Sequence, residues 1–350
     1  MDYTDRPVDI RAGESLDNKK LEQYLKDTIP GFTEPLTIKQ FPGGHSNLTY
    51  LLTTKDREMV LRRPPFGTKA KTAHDMAREY KILKALKPVF PYVPTPLVYN
   101  DDSLIMDCPF YVMERINGII LRKEIPRGLN LSKTQIRRLF EKHVEIQCEL
   151  HSLDYKKIGL EDFGKPQGYV KRQVKGWTNR YKNAKTPDAP EFDNIIEWLN
   201  KNMPQESPVS SIIHNDFKFD NLVLDKDNPL SIIGVLDWEM ATIGDPLMDI
   251  GCTLGYWVEK NDPPEFQAMR TLPTHIDGAM TRSEIISYYE KISGFTIDNM
   301  DFYHCFGLFR LAVIAQQIYF RYYQGQTQDK RFKNLIYAVQ ALKKAADNLI

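Results

Sequence analysis

The stretch IIHNDFKFDNLVLD, residues 212–225, constrains this chain more than any other part of it. It sets His214, Asp216 and Asn221 in the order H-x-D-x-x-x-x-N between two short apolar runs, and a further apolar run, IIGVLDWE, leads into Asp237. Strand, loop and strand can present Asp216, Asn221 and Asp237 from one edge. A phosphoryl-transfer site requires those parts: a carboxylate that orients an acceptor hydroxyl and takes its proton, and an Asn with a second Asp that hold Mg²⁺ on nucleotide phosphates. The competing reading is a loop whose His, Asp and Asn only make turn and cap hydrogen bonds. The Asn offset and the strand-terminal Asp behind it weigh against that.

The surroundings fit an α+β chain with a small β-rich part followed by a larger helical one. Ser15 followed by LDNKKLEQYLKD reads as a capped amphipathic helix, and LTIKQF, NLTYLLTT and REMVLRR as short strands separated by the turn signals PGG and TKD. Residues 72–86 have helical periodicity, and Pro88, Pro91, Pro94 and Pro96 then force an extended connector. SLIM and FYVMER are further strand candidates. Beyond about residue 119 the chain reads as helical, with a long helix from a Ser132 cap to Ser152, others near 167–184, 190–202, 282–293, 301–323 and 330–348, and a β-rich interruption at 211–237. The expected division is 1–116 and 117–350.

Two further constellations lie upstream of the Asp/Asn cluster. In FPGGHSNLTYLL, residues 41–52, Gly43 and Gly44 let backbone approach a ligand, and His45, Ser46 and Asn47 follow, of which Ser46 and Asn47 add donors suited to phosphate oxygens. Alone, this reads better as a tight hairpin turn; its place between two strands upstream of the Asp/Asn cluster favours a phosphate cradle. Arg62 ends the strand MVLRR and Glu79 lies on the following helix. They can form the basic residue–carboxylate pair that reaches nucleotide phosphates, or a surface ion pair of little energetic consequence.

Composition narrows the function class. Of 350 residues, 47 Lys plus Arg against 46 Asp plus Glu leave a net charge of +1, too weak a field for a protein that coats nucleic acid or anionic membrane. The four cysteines, Cys108, Cys148, Cys252 and Cys305, form no CxxC pair, which argues against a disulfide framework or structural zinc. His143, Cys148 and His151 share a helix at offsets that spread them around it, so no metal site is expected there. The N-terminus has no apolar leader and the apolar stretch 302–320 is interrupted by Arg310, Gln316 and Gln317, so a cytoplasmic chain without a membrane span is expected.

Together these motifs, with VLDWEMATIGDPLMDIG at 235–251, resemble the aminoglycoside phosphotransferase and choline kinase group of the two-lobed protein-kinase-like fold. FPGGHSNLTYLL, VLRRPP and HNDFKFDNLVLD look especially like a subgroup that includes the N-terminal kinase-like domains of certain animal acyl-CoA dehydrogenases. The resemblance covers the chain from about residue 13 to the C-terminal helices. It implies an ATP- or GTP- and Mg²⁺-dependent transfer to a hydroxyl of a small molecule, with Asp216 as catalytic base and Asn221 and Asp237 as metal ligands. Arg62 stands where most kinases place lysine, with Glu79 as its partner; Gly43, Gly44, His45, Ser46 and Asn47 would cover the phosphates. Met113, Glu114 and Ile116 would belong to the hinge that receives the base, and Asp245 and Asp249 would brace the site. Asp237 is followed by Trp-Glu, as is usual in small-molecule kinases. A nucleotide-binding pseudokinase and an antibiotic phosphotransferase share the pattern.

For the acceptor the sequence offers one signal. Lys165, Lys171, Arg172, Lys175, Arg180, Lys182 and Lys185 fall in a segment with no acidic residue. Cationic sugars and choline call for carboxylates or aromatic cages, whereas a basic wall suits an anionic acceptor such as a hydroxy acid or hydroxyacyl-CoA. A solvated helix face is the plainer alternative. Trp177 and Tyr181, four apart, fit core packing better than substrate stacking.

Overall fold

The computed structural model describes residues 6–42, 47–66, 75–205 and 209–350. The helices are α1 (Asn18–Thr28), α2 (Met76–Leu86), α3 (Lys133–Ser152), α4 (Tyr169–Ala184), α5 (Asp193–Lys201), α6 (Pro246–Gly255), α7 (Pro264–Ala268), α8 (Arg282–Ser293), α9 (Met300–Tyr323) and α10 (Leu335–Asp347). The strands are β1 (Thr37–Gln40), β2 (Leu48–Thr53), β3 (Glu58–Arg63), β4 (Pro96–Asn100), β5 (Phe110–Glu114), β6 (Ile119–Ile120), β7 (Ser211–Ile213), β8 (Leu222–Leu224), β9 (Ile232–Val235) and β10 (Thr242–Gly244). Two compact units result: Met1–Ile120 with Leu222–Glu239, and Leu121–Asn221 with Met240–Ile350. The division is not a single cut near 116, because β8 and β9 join β6 in a three-stranded antiparallel sheet of the first unit.

In the first unit an antiparallel sheet runs in the order β1-β2-β3-β5-β4. Its period of two sorts the side chains. Tyr50 and Leu52, Met59 and Leu61, and Phe110 and Val112 share one face, where Leu21, Leu25 and Ile29 of α1 and its following residue complete a buried core. Each such aliphatic side chain contributes roughly 1.5–3 kcal/mol by leaving water. The opposite parity belongs to Leu51, Val60, Arg62, Tyr111 and Met113. On that face α2 packs, with Tyr80 6.3 Å from Tyr111 between ring centres. Strand parity therefore carries Arg62 to the helix that bears Glu79.

In the second unit β7 pairs antiparallel with β10, and helices surround them. α3 begins with a capping box in which Ser132 and Gln135 exchange side-chain and backbone hydrogen bonds. α6 and α9 approach backbone to backbone: a Cβ at Gly307 would run into the Gly251 carbonyl oxygen, and one at Gly251 into that of Tyr303. Gly307→Ala is therefore expected to lower stability by about 1–3 kcal/mol, read from the denaturant midpoint; an unchanged midpoint would mean that the helices separate freely.

Four local expectations change. The α1 cap is Asp17, whose carboxylate accepts from Lys20 N, rather than Ser15. SLIM is a turn, because Asp102 accepts the backbone N–H of Leu104 and folds the chain back there. The connector instead ends in an additional strand, β4, starting at Pro96, a first-residue position at which proline is tolerated. The helix expected from 72 begins at Met76, after the Asp75 cap; residues 72–74 lie outside the described residues. Among the described residues no helix is long and apolar enough to cross a membrane.

Candidate active site

In the second unit, β7 delivers His214, fully buried, to a tight loop. Asn215 there has φ +64°, a left-handed conformation that is uncommon outside glycine and that must be held in place. Asp249, in the first turn of α6, holds it, accepting the backbone N–H of His214 at 3.2 Å and of Asn215 at 2.5 Å. The Asn215 side chain donates to Met240 O at 3.0 Å and meets Tyr169 Oη at 3.3 Å. The strained residue turns the chain so that Asp216 N donates to His214 Nδ1 at 3.2 Å. His214 thus acts as a brace for the loop, with Nδ1 as acceptor.

The Asp216 side chain is only 15% exposed and lies 2.8 Å from Lys218 Nζ. Asn221, at the end of a single 3-10 turn (Phe219–Asn221), donates Nδ2 to Asp216 Oδ2 at 2.9 Å and to Asp216 O at 2.8 Å. Burial alone would raise the Asp216 pKa. Lys218, then Arg310, outweigh it and draw the carboxyl down to about 2. The result is a positioned carboxylate, held below the usual carboxylate range, with an amide locked against it.

Behind the loop, α3 supplies a polar stripe. His143, Gln147 and His151 are buried at four-residue spacing on one face. His151 Nε2 lies 3.0 Å from Asp249 Oδ2 with its Nδ1 at 2.8 Å from Tyr289 Oη, and Gln147 donates to Asp249 Oδ2 at 3.2 Å. Thr253 Oγ1 donates to Phe217 O at 3.0 Å. Asp249 is fully buried, which would raise its pKa, but the hydrogen bonds of His151 and Gln147 hold it below the usual carboxylate range. The expectation that the offsets scatter His143 and His151 is corrected here: eight residues is close to two turns, so both share the buried face, while Cys148 lies off it. His143 makes no hydrogen bond among the described residues; it packs between Phe217, Phe219 and Trp257, and burial lowers its pKa to about 3.

In the first unit, Arg62 is 9% exposed and faces three carboxylates, with Glu79 Oε1 at 3.0 Å, Asp237 Oδ1 at 3.0 Å and Glu239 Oε2 at 3.5 Å. Tyr111 lies against the Glu79 carboxylate, and Arg62 Nε has no hydrogen-bond partner among the described residues. Burial raises the Glu79 pKa to about 7 in spite of Arg62. Asp237 follows β9 with φ +66°, a second left-handed non-glycine. Its neighbour Trp238 is buried, donates to Val235 O at 2.9 Å and packs against Phe90, which fixes the turn and leaves the Asp237 side chain 36% exposed.

The remaining expected positions divide. Asn47 is buried and donates to Glu239 Oε2 at 2.8 Å; Gly43, Gly44, His45 and Ser46 lie outside the described residues. Met113 and Glu114 end β5, but the Glu114 amide already donates to Thr95 O at 2.9 Å and that of Arg115 to Glu58 O at 3.2 Å, so those two donors are in use. Ile116 packs against Gly234. Asp245 caps α6, accepting from Leu247 N at 2.8 Å, and does not touch Asp216. The seven basic residues from Lys165 to Lys185 are all exposed, while Trp177 and Tyr181 point inward. Arg172 bonds the carbonyls of Lys165 and Gln167, and Lys185 pairs with Glu191 at 2.5 Å.

Sequence reasoning missed Lys218, Glu239, the α3 stripe and Arg310. Lys218 had a signal, a cation two residues after Asp216. The α3 stripe had one in its spacing. Arg310 was read only as an interruption in an apolar helix.

Comparison with known proteins places the fold. A phosphotransferase enzyme family model matches residues 37–276. Acyl-CoA dehydrogenase family member 10 of Mus musculus is 35% identical over 92% of this chain, and member 11 of Homo sapiens is 35% identical over 92%. The chain spans only 30% and 42% of those proteins. Among solved structures, a Ralstonia eutropha protein described as a candidate aminoglycoside phosphotransferase superposes with a TM-score of 0.79 at 29% identity, covering 95% of this chain and 99% of that one. Choline kinase from Cryptosporidium parvum shares the fold at 13% identity and TM-score 0.62, over 95% and 97% of the two chains. The small antiparallel first lobe and the helical second lobe are those of kinase-like phosphotransferases, and the chain belongs to the phosphotransferase enzyme family.

Proposed function

We propose that this chain transfers the terminal phosphoryl group of ATP or GTP to a hydroxyl of a small, anionic acceptor, with Mg²⁺ as cofactor. The observation that carries the reading is the state of Asp216: ionised, positioned by Asn221 and Lys218, and presented by a loop whose strain Asp249 sustains. Such a carboxylate orients an acceptor hydroxyl and receives its proton as the bond to phosphorus forms. Nucleotide diphosphates bound to neighbours of the fold, GDP in aminoglycoside 2'-phosphotransferase-IIIa and ADP in spectinomycin phosphotransferase, support a nucleotide donor.

The residues of the first unit fit a metal-bound polyphosphate. One cation, Arg62, faces Glu79, Asp237 and Glu239, an excess of negative charge that a divalent ion would offset. Arg62 Nε is a buried donor with no acceptor of its own among the described residues. Bound Mg²⁺ would supply charge neutralisation on the phosphates. Asp237 is its proposed ligand in the first unit, an oxygen donor of the kind Mg²⁺ prefers; Asn221, in the second unit, is proposed as a ligand on the family resemblance alone. Among the described residues no cluster of three His, Cys, Asp or Glu side chains holds a metal by itself. Asp237→Ala is expected to weaken binding of the Mg·nucleotide about tenfold or more and of metal-free nucleotide hardly at all. Calorimetric titration with and without Mg²⁺ checks this; equal losses in both would remove Asp237 as a ligand.

An anionic acceptor is supported by the solvent-facing cations of α4 and its flanks. The named relatives belong to acyl-CoA dehydrogenases, which directs the first choice of acceptor to hydroxy acids and their CoA esters. The Arg62–Asp237 pair also favours a second reading, a chain that binds nucleotide without turning it over, since the pair occupies the proposed ligand. Mg²⁺-dependent ADP or GDP release over hydroxyacyl-CoAs, free hydroxy acids, choline and aminoglycosides separates them. Release stimulated by an acid or its CoA ester supports the proposal. Stimulation by aminoglycoside alone would make the chain an antibiotic phosphotransferase, and nucleotide binding without any stimulation would favour the second reading.

A further inference from the structure

Arg310 sits in the middle of α9, on the helix face turned toward the Asp216 loop, and is 2% exposed. Its guanidinium has no carboxylate within ion-pair distance among the described residues. Its contacts are Met240 Sδ, at 3.6 Å from Nη2, the Cys252 thiol, to which it hydrogen-bonds, and the face of Trp177, 5.2 Å from the ring centre. A thioether is a weak acceptor, and a guanidinium offers five donors in a planar fork. A charge so buried is costly unless it is paired.

The charges nearby do not pair it. Asp216 attracts it from beyond ion-pair distance but is itself paired with Lys218 at 2.8 Å, and Asp249 is hydrogen-bonded to His151 at 3.0 Å. The other acidic groups that face Arg310 are Cys252, Tyr256 and Tyr169. Burial pushes the Cys252 thiol up to about 11 and the Tyr256 phenol to about 12, and raises Tyr169 further, so all three are neutral near pH 7. On the other side, Arg180 lies 4.5 Å over the same Trp177 ring and adds a second positive charge.

The position is also specific. Met240 O accepts from the Asn215 side chain, and Asn215 precedes Asp216, so the sulfur that covers Arg310 belongs to the residue that braces the loop. Met240 is 36% exposed, and its flexible thioether is a displaceable cover. We propose that Arg310 is the acceptor-reading residue: it receives the oxyanion, carboxylate or phosphate, that the acceptor carries beside the hydroxyl presented to Asp216, with Met240 Sδ as the group it displaces. The inference rests on the proposed phosphotransfer reading and names the residue that selects its substrate. The exposed lysines of α4 then contribute attraction over distance, and the discrimination lies in the buried guanidinium.

The test measures binding, so that it does not depend on turnover. Calorimetric titrations compare 3-hydroxybutyrate with its methyl ester, and glycerol 3-phosphate with glycerol, against wild type, Arg310→Gln, Arg310→Lys and a Lys171→Gln/Lys175→Gln double variant. Wild type is expected to bind at least one charged member about tenfold or more tighter than its neutral match, and which pair responds identifies carboxylate or phosphate. Arg310→Gln is expected to remove that preference and Arg310→Lys to keep part of it, because lysine retains charge but loses the fork. The double variant is expected to keep it. Absence of preference in wild type overturns the assignment even if the Gln variant fails to fold, and so does a preference that persists in Arg310→Gln or disappears in the lysine variant. Anion preference without stimulated nucleotide turnover would sink the kinase reading and leave the Arg310 assignment standing.

Discussion

Asp216→Asn is expected to lower acceptor-stimulated turnover by about 10²–10⁴-fold while nucleotide affinity changes by less than about threefold. Asparagine keeps the shape of the side chain and can still meet Asn221 with its amide oxygen. It removes the negative charge that Lys218 faces at 2.8 Å and the lone pair that would take the acceptor proton. Loss in kcat with little change in KM would place Asp216 at the reacting hydroxyl. Steady-state ADP release checks it, and a variant with full turnover would sink the assignment. A fall confined to nucleotide affinity would shift Asp216 to the donor side of the reaction.

The second large effect is on stability. Asp249→Ala is expected to cost about 3–5 kcal/mol in unfolding free energy, because a fully buried carboxylate leaves behind the donors of His151, Gln147 and two backbone amides. Relief of the left-handed Asn215 should also blur the presentation of Asp216, so activity falls with stability. The effect has a pH signature. A carboxylate with a depressed folded pKa contributes stability that is complete above its unfolded value, about 3.9, and is lost as pH falls through the lower folded value. The gap between wild type and Asp249→Ala should therefore be widest near neutrality and narrow below about pH 4. Denaturant unfolding at a series of pH values reads it directly. A gap independent of pH would mean that Asp249 acts by packing alone.

Much of this site was legible in the chain, for reasons that differ by residue. Asp216, Asn221 and Asp237 stood out because polar residues at fixed offsets between apolar runs have few structural explanations. Arg62 could be matched with Glu79 because strand parity and a helix turn are local rules. Lys218 was missed because a cation next to acidic neighbours reads as surface until burial is known. Arg310 was harder, since nothing local separates a snorkelling arginine from one whose head group is enclosed; only the packing of α4 and α6 on α9 decides that. The strand at Pro96 was hidden by four prolines that signal an irregular connector. The grouping of β8 and β9 with β6 depends on pairing across about a hundred residues, which no window of sequence reports.

The glycine contact between α6 and α9 bears on how such a protein changes its diet. Asp249 lies two residues before Gly251, and Arg310 three residues after Gly307. With the backbones already this close, a side chain at either glycine would force the two helices apart. The element that shapes the loop and the element that reads the acceptor are thus mounted on a common ruler. Single exchanges at positions 177, 240 and 310 of this chain are then the ones expected to alter acceptor choice on an unmoved frame. A library aimed at a new acceptor should accordingly leave Gly251 and Gly307 untouched and spend its diversity on those three.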